Sequence, residues 1–266
     1  MVKKSILITG AKGQLGTCLR QISINYEYIY FFLGKKDLDI TNKLKIEKFL
    51  RKNEIDIVIN CAAYTDVNNA EFNKKVCKNL NTTSVDNIAK LCFEYEIQLI
   101  HISTDYVFDG NKKTPYSEDD ITNPINHYGF TKLAGEKNIL KYKLKRSAII
   151  RTSWLYSNFE DNFVTKILNS IKNNYEINVV DDEIGSPTCA YDLAQTIFQI
   201  IPKITNTNTE IYHFSNLGFC SRYEFAKKIS ELLKLDCIIR PSKKNPLQIM
   251  RPSFSALDCT KITNNF

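Results

Sequence analysis

Lys4-Ser5-Ile6-Leu7-Ile8-Thr9-Gly10-Ala11-Lys12-Gly13-Gln14-Leu15-Gly16 begins as a short run of strand-forming residues and continues into three of the chain's nine glycines. Leu15, Leu19 and Ile22 then recur at the spacing of one helix face. Strand, glycine turn and helix together present helix-start N–H groups to a pyrophosphate, and the glycines let the backbone approach it closely. The spacing is G-x-x-G-x-x-G rather than G-x-G-x-x-G.

The same alternation continues along the chain. Residues 28–33, 55–60, 97–103 and 147–151 read as strands, and residues 41–52, 84–95 and 126–141 as helices. Thr41 is the expected N-cap of its helix, with Leu44, Phe49 and Leu50 turned inward. The expected fold is α/β, a doubly wound parallel sheet of Rossmann type over residues 1–151. Over residues 152–266 the alternation weakens into helices at 161–172, 191–201 and 222–235 and short strands at 177–180 and 211–214. This part reads as a smaller substrate lobe, partly interleaved with the first.

In such a sheet ligands bind outside the carboxyl ends of the strands. Gly10, Cys61-Ala62-Ala63 and Ser103-Thr104 all fall at those ends, so three separate motifs are expected to meet at one crevice.

The chemistry is expected in His101-Ile102-Ser103-Thr104-Asp105-Tyr106-Val107-Phe108-Asp109-Gly110 together with Tyr128-Gly129-Phe130-Thr131-Lys132. Tyr128 and Lys132 are four residues apart, one turn along a helix face. Two unit charges about 4 Å apart at an effective dielectric of about 20 interact by roughly 4 kcal/mol. That is equivalent to about three pKa units, enough to draw a tyrosine from about 10 towards about 7, where general acid–base catalysis works at neutral pH. The spacing alone decides nothing, because Tyr223 and Lys227 share it. The nucleotide-binding context singles out the first pair.

Composition narrows the class. The chain has 266 residues, 43% of them apolar and 24% charged, which is ordinary for a globular protein. There is no charged-then-apolar leader and no apolar run as long as a membrane span, so a cytoplasmic protein is expected. The eight cysteines contain no Cys-x-x-Cys, and His101, His127 and His213 have no metal-ligand spacing, so free thiols and no metal are expected. The net charge of +7 comes from evenly spread lysines with no basic block, which points to a solvated surface suited to dianionic ligands rather than to nucleic acid.

Several motifs occur in order: Gly10-x-x-Gly13-Gln14-Leu15-Gly16, Leu38-Asp39-Ile40, Asn60-Cys61-Ala62-Ala63-Tyr64-Thr65-Asp66-Val67, Ser103-Thr104-Asp105-Tyr106-Val107-Phe108, Tyr128-Gly129-x-Thr131-Lys132-x-x-Gly135-Glu136, Arg151-Thr152-Ser153-Trp154 and Asp181-Asp182-x-x-Gly185-Ser186-Pro187-Thr188. From residue 5 to about 261 the chain resembles the dTDP-4-dehydrorhamnose reductases, in the extended branch of the short-chain dehydrogenase/reductase superfamily. The resemblance implies NADPH- or NADH-dependent reduction of the C4 ketone of a dTDP-sugar, giving dTDP-L-rhamnose for a surface polysaccharide. It implies Tyr128 as proton donor, Lys132 as the group that lowers its pKa and holds the nicotinamide ribose, and Thr104 as a hydrogen-bonding partner of the carbonyl or the phenol. Cofactor contacts are implied for Gly10, Lys12, Gly13, Gln14, Leu15, Asp39, Ile40, Ala62, Ala63, Tyr64, Asn81 and Ser103, besides Tyr128 and Lys132. Substrate contacts are implied for Val67, Thr104, Asp105, Trp154 and Arg251. For Trp154 a core filler is the alternative reading.

The loop after the second strand, Gly34-Lys35-Lys36, carries lysines where an acidic residue would select NAD, so NADPH is expected with NADH tolerated, a solvated lysine pair being the alternative reading. A homodimer is compatible with the resemblance. A metal-bridged one is not, because Cys18 and Tyr191 stand where some relatives place the glutamates that bind magnesium between subunits. Glu183 and Ile184 replace a Gln and a Phe common in the family, a change expected to alter substrate fit. Ending at Phe266 soon after Leu257-Asp258 is expected to open one side of the lobe or to make stability depend on a partner. Three rivals stand beside the main reading. One is a reductase of another 4-keto-6-deoxy nucleotide sugar. Another is a sugar-nucleotide dehydratase, disfavoured by Tyr106 standing in place of a second carboxylate. The third is a non-catalytic NADP-binding regulatory subunit, such as the partner of methionine adenosyltransferase.

Overall fold

The computed structural model describes residues 3–245 and 249–266. The first part of the chain runs β1 (Ser5–Thr9), α1 (Gln14–Ile22), β2 (Ile29–Leu33), α2 (Lys43–Lys52), β3 (Ile57–Asn60), α3 (Val67–Ala70), α4 (Lys74–Lys78), α5 (Ser84–Glu94), β4 (Gln98–Thr104), α6 (His127–Leu140) and β5 (Ala148–Thr152). It continues through β6 (Leu155–Tyr156), α7 (Phe163–Asn173), β7 (Glu176–Val180), β8 (Ile184–Gly185), β9 (Thr188–Cys189), α8 (Ala190–Ile200), β10 (Glu210–Phe214), β11 (Cys220–Ser221), α9 (Arg222–Leu232), β12 (Ile238–Ser242) and α10 (Thr260–Asn265).

Six strands make one parallel sheet in the order β2-β1-β3-β4-β5-β10. Side chains alternate across a strand, so each strand serves two cores. Ile6, Ile8, Ile57, Ile59, Ile100 and Ile150 meet Leu15, Leu19, Leu193 and Ile197 of α1 and α8 on one face. Leu7, Val58, Leu99 and Ile149 meet Ile46, Leu50, Ile88, Leu91 and Ile139 of α2, α5 and α6 on the other. Each fully buried aliphatic side chain contributes about 1.5–3 kcal/mol, which is why the strands read as nearly unbroken apolar runs. The stretch after residue 151 adds β10 to the sheet and α8 to its helical layer. Four of its other elements, α7, β7, α9 and β12, pack Ile167, Ile171, Val179, Ala226 and Ile229 into a separate small core.

Some expectations need correction. The N-cap of α2 is Asn42, whose side chain accepts from Lys45 N, while the Thr41 hydroxyl donates to Asp39. Leu44 is 76% exposed and Ile46 takes the inward position, because Ile46 lies three and four residues before Phe49 and Leu50, on their face of the helix, and Leu44 does not. The helix expected over 222–235 stops at Leu232, and β12, α3 and α4 are elements the apolar pattern did not signal. All eight cysteines are free thiols. Among the described residues no helix is long and apolar enough to cross a membrane.

Candidate active site

The sheet order reverses between β1 and β3, and a cavity of about 670 Å³ opens there and runs to the lobe. Backbone chemistry builds its first part. Gly10 sits at φ +63°, and a Cβ there would stand 2.7 Å from Ala62 N. A Cβ on Gly16 would stand 2.5 Å from the Gly10 carbonyl oxygen. These two glycines pack the turn and helix onto the sheet. Gly13 is different: the nearest atom its Cβ would meet is Gly10 O at 3.5 Å. It is the N-cap of α1, with no side-chain capping bond, so the first N–H groups of the helix are left for an anion.

Lys12 and Lys35 line the adjoining part of the cavity, and the Lys12 stem packs over Gly34. Asp39 and Ile40 line it too. The hydrogen bonds from Thr41 N and Oγ1 hold the Asp39 carboxyl below the usual carboxylate range. Lys36 is not among the lining residues.

Ala62 and Ala63 form the next wall, whereas Tyr64 and Asn81 do not line the cavity. Asn81 lies in a π-helical turn, Asn79–Thr83, and is buried. Its Oδ1 accepts from Tyr64 N at 2.8 Å, and its Nδ2 donates to Tyr64 O at 3.0 Å and Thr131 Oγ1 at 3.2 Å. Asn81 therefore positions the turn after β3 against α6. Single π-turns of this kind concentrate at functional sites.

At the far end of β4 stand Ser103, Thr104, Tyr128 and Lys132, all lining the cavity and all buried. Asn126 caps α6 by accepting from Gly129 N, and its Nδ2 donates to Met250 O, tying this helix to the segment carrying Arg251. Thr104 Oγ1 donates to Asp105 Oδ1 at 2.9 Å. Lys132 Nζ donates to Ile102 O at 2.5 Å. Ser103 Oγ donates to Glu136 Oε1 at 2.5 Å. Glu136 is gripped in turn by Arg151 through Nε at 3.0 Å and Nη2 at 2.7 Å, a pair 1% and 2% exposed.

The electrostatics differ from the expectation drawn from spacing. Burial pushes the Tyr128 phenol above its ordinary value, with the Thr104 hydrogen bond pulling the other way and Lys132 not among the dominant influences. Burial lowers Lys132 to about 8, against the attraction of Glu136. Desolvation at a dry site thus outweighs the charge–charge term. Tyr128 is held as a neutral phenol with a proton to give, and Lys132 as a cation that sheds its charge within the accessible pH range.

On the lobe side, Val67, Asp105 and Trp154 line the cavity. Asp105 is pushed up to about 6 by burial, with the Ser255 and Thr104 hydroxyls and the charge of Arg222 opposing. Trp154 adopts φ +46°, a left-handed conformation that non-glycine residues rarely hold. A Cβ on Gly185 would stand 2.5 Å from Trp154 Cε2, so only glycine fits there. Arg251 is not a lining residue and bonds Asn68 Oδ1 at 3.0 Å and Tyr106 OH at 3.4 Å.

The sequence reading did not single out Arg222, Leu80, Glu160, Asp161 or Asn162, which also line the cavity. The Ser-x-x-Glu box formed by Ser221 and Glu224 marks a helix start in the sequence, yet nothing in it tells which way Arg222 faces. Among the described residues no cluster of three or more His, Cys, Asp or Glu side chains could hold a metal.

The parallel sheet, the glycine turn at its switch point and the Tyr-x-x-x-Lys helix beside β4 define the short-chain dehydrogenase/reductase class. The chain belongs to the RmlD substrate binding domain family, whose model matches residues 4–266. It is 37% identical to the dTDP-4-dehydrorhamnose reductase of Aggregatibacter actinomycetemcomitans over 98% of this chain and 92% of that one. It is 34% identical to a dTDP-4-keto-6-deoxy-D-glucose reductase of Streptomyces niveus, covering 86% of this chain and 79% of that one. Among solved structures, the dTDP-4-dehydrorhamnose reductase of Bacillus anthracis in complex with NADP superposes with a TM-score of 0.94 at 36% identity, over 99% of this chain and 93% of that one.

Proposed function

We propose that this protein reduces the C4 ketone of dTDP-4-dehydro-6-deoxy-L-mannose with NADPH, giving dTDP-L-rhamnose. The observation that carries this reading is the meeting of Thr104, Tyr128 and Lys132 at one end of a cavity whose other end is the glycine turn. Family membership along the whole described chain, and an NADP complex of a relative 36% identical, support the choice of reaction and cofactor.

The residues fit the cofactor. The uncapped N-terminus of α1 at Gly13 suits a pyrophosphate, and Lys12 and Lys35 suit a ribose 2′-phosphate nearby. Asp39 and Ile40 would flank the adenosine, Ala62 and Ala63 would floor the site, and Lys132 would meet the nicotinamide ribose. When bound, the reduced nicotinamide supplies the hydride. Tyr128 gives its phenolic proton to the oxygen of the former ketone, and Thr104 holds that oxygen by a hydrogen bond. Lys132, cationic below about pH 8, offsets the charge left on the phenolate until the proton is replaced. Asp105, Trp154 and Val67 would orient the sugar from the lobe side.

A dehydratase needs a second acid–base group beside Asp105. Tyr106 stands there, a buried phenol whose pKa is pushed up by burial. That supports reduction over elimination. The test is oxidation of NADPH by the purified protein with the keto sugar generated in place. Tyr128→Phe is expected to lower kcat by about 10²- to 10⁴-fold, the usual worth of a general acid, with NADPH affinity kept. Turnover unaffected by that change would exclude this role for Tyr128.

A further inference from the structure

The lobe wall of the cavity carries one arginine that the reaction described above leaves without a task. Arg222 is the first residue of α9, its side chain is 14% exposed, and it lines the cavity. Its guanidinium lies 3.5 Å from the centre of the Trp154 ring and 4.9 Å from that of Phe163. Stacking fixes the plane of the group and engages its face, which leaves the N–H donors on its edge. Among the described residues those donors make no hydrogen bond within 3.5 Å, and their nearest carboxylate is Glu183 Oε2, 3.8 Å from Nε. A rigid fork that lines the cavity with its donors uncommitted to the protein is free to meet an anion there.

The charges around it say what that partner is. The lining cations are Lys12, Lys35, Lys132 and Arg222. Lys12 and Lys35 stand beside Gly34 at the glycine-turn end, and Lys132 is bonded to the Ile102 carbonyl. The acids Asp105, Glu160 and Asp161 line the cavity as well. A dianion entering from the lobe side therefore meets carboxylates and, among the lining residues, the single cation Arg222. Planar bidentate donors match phosphate oxygens better than an ammonium does.

We propose that Arg222, braced on Trp154, binds the diphosphate of the sugar nucleotide and sets the preference for diphosphate-linked substrates. The proposal rests on the reductase reading for the identity of the substrate. It makes Arg222 a substrate-binding residue and gives Trp154 the task of bracing it. Ser221, which caps α9 and donates to Asp181 Oδ1 at 2.7 Å, holds the helix start that carries Arg222.

Trp154 is the chain's one tryptophan, so its fluorescence reports on this pair directly. The experiment titrates dTDP and thymidine, by tryptophan fluorescence and by calorimetry, into the NADP-loaded wild type, Arg222→Gln and Arg222→Lys. NADPH affinity and thermal unfolding are measured beside them. Arg222→Gln is expected to weaken dTDP about 30- to 100-fold and Arg222→Lys by about 5- to 10-fold, with thymidine and NADPH unchanged, as loss of a buried charged contact implies. With the keto sugar, KM is expected to rise by a similar factor, with kcat within about threefold. Equal weakening of dTDP and thymidine would show that Arg222 only supports the fold of the wall, and the proposal would be lost. The same holds if the wild type binds dTDP no more tightly than thymidine, or if dTDP binding in Arg222→Gln stays within about twofold of the wild type. Absence of keto-sugar turnover in the wild type would instead reject the reductase reading, and the dTDP-to-thymidine ratio would still judge Arg222.

Discussion

On the sheet side of the crevice the anion site and the floor are backbone, the uncapped start of α1 and the Ala62-Ala63 turn, with Lys12, Lys35, Asp39 and Lys132 added around them. On the lobe side the contacts offered to a ligand are side chains, namely Asp105, whose carboxyl is pushed up by burial, Trp154, held in a left-handed conformation, and Arg222, stacked on Trp154. The sheet wall is rigid because parallel strands and two apolar cores fix it from both faces. The lobe wall is assembled from short two-stranded pieces and helix starts. A fixed backbone suits a cofactor that every turnover shares. Recognition by side chains can be retuned by single substitutions, and it is where a substrate preference can diverge within one fold.

The largest effect should come at the buried ion pair behind the reacting end of the crevice. Glu136 holds Ser103 on the sheet side and Arg151 in the interior, so Glu136→Gln leaves Arg151 buried without its counter-charge. A loss of about 3–5 kcal/mol in denaturant unfolding is expected, with cofactor and substrate affinity falling together. Loss on one side alone would mean that the walls are independent.

Next come two glycines three residues apart that the comparison assigns different tasks. Gly16→Ala places a Cβ 2.5 Å from the Gly10 oxygen and should cost about 2–4 kcal/mol of stability. Gly13→Ala meets the Gly10 oxygen at an ordinary contact distance of 3.5 Å and should leave stability within about 1 kcal/mol. It should instead weaken NADPH binding by about tenfold, because a methyl group occupies the place of the phosphates. Reversal of the two outcomes would overturn the assignment of Gly13 to the ligand.

A pH profile sharpens the comparison at the reacting end. Lys132 is protonated below about 8 and neutral above it, while burial keeps Tyr128 a neutral phenol throughout. Turnover is therefore expected to fall as pH rises through about 8. Lys132→Arg, which keeps its charge, should retain some activity and lose that fall. A wild-type profile flat to pH 10 would exclude a cationic role for Lys132. The smallest effect is expected at Ser221→Ala, which removes the cap of α9. It should cost about 1 kcal/mol and raise the KM for the sugar nucleotide without touching NADPH affinity.

The sheet wall was largely legible in the sequence because its parts are contiguous. Gly10 to Gly16, Asn60 to Ala63 and Ser103 to Thr104 each lie on a few consecutive residues at the end of a strand, and strand ends in a parallel sheet meet by topology. Tyr64 and Asn81, expected as cofactor contacts, do not line the cavity, and the Asn81 side chain bonds the Tyr64 backbone. Motif matching cannot separate a residue that touches a ligand from one that holds its neighbour. The helix starts at Lys43 and Lys74 were misplaced or missed because short polar helices carry little apolar periodicity.

By itself the sequence determined the parallel sheet, the phosphate-binding turn and the Tyr–Lys helix, since local periodicity and glycine spacing act over a few residues. Tertiary structure alone decided that Arg222 meets Trp154, because the two lie 68 positions apart and come together only when α9 docks beside β6 and β8. It also decided the proton affinities. Lys132 beside Tyr128 on a solvated helix would be expected to depress the phenol, but burial reverses that sign, and burial is a property of the folded whole.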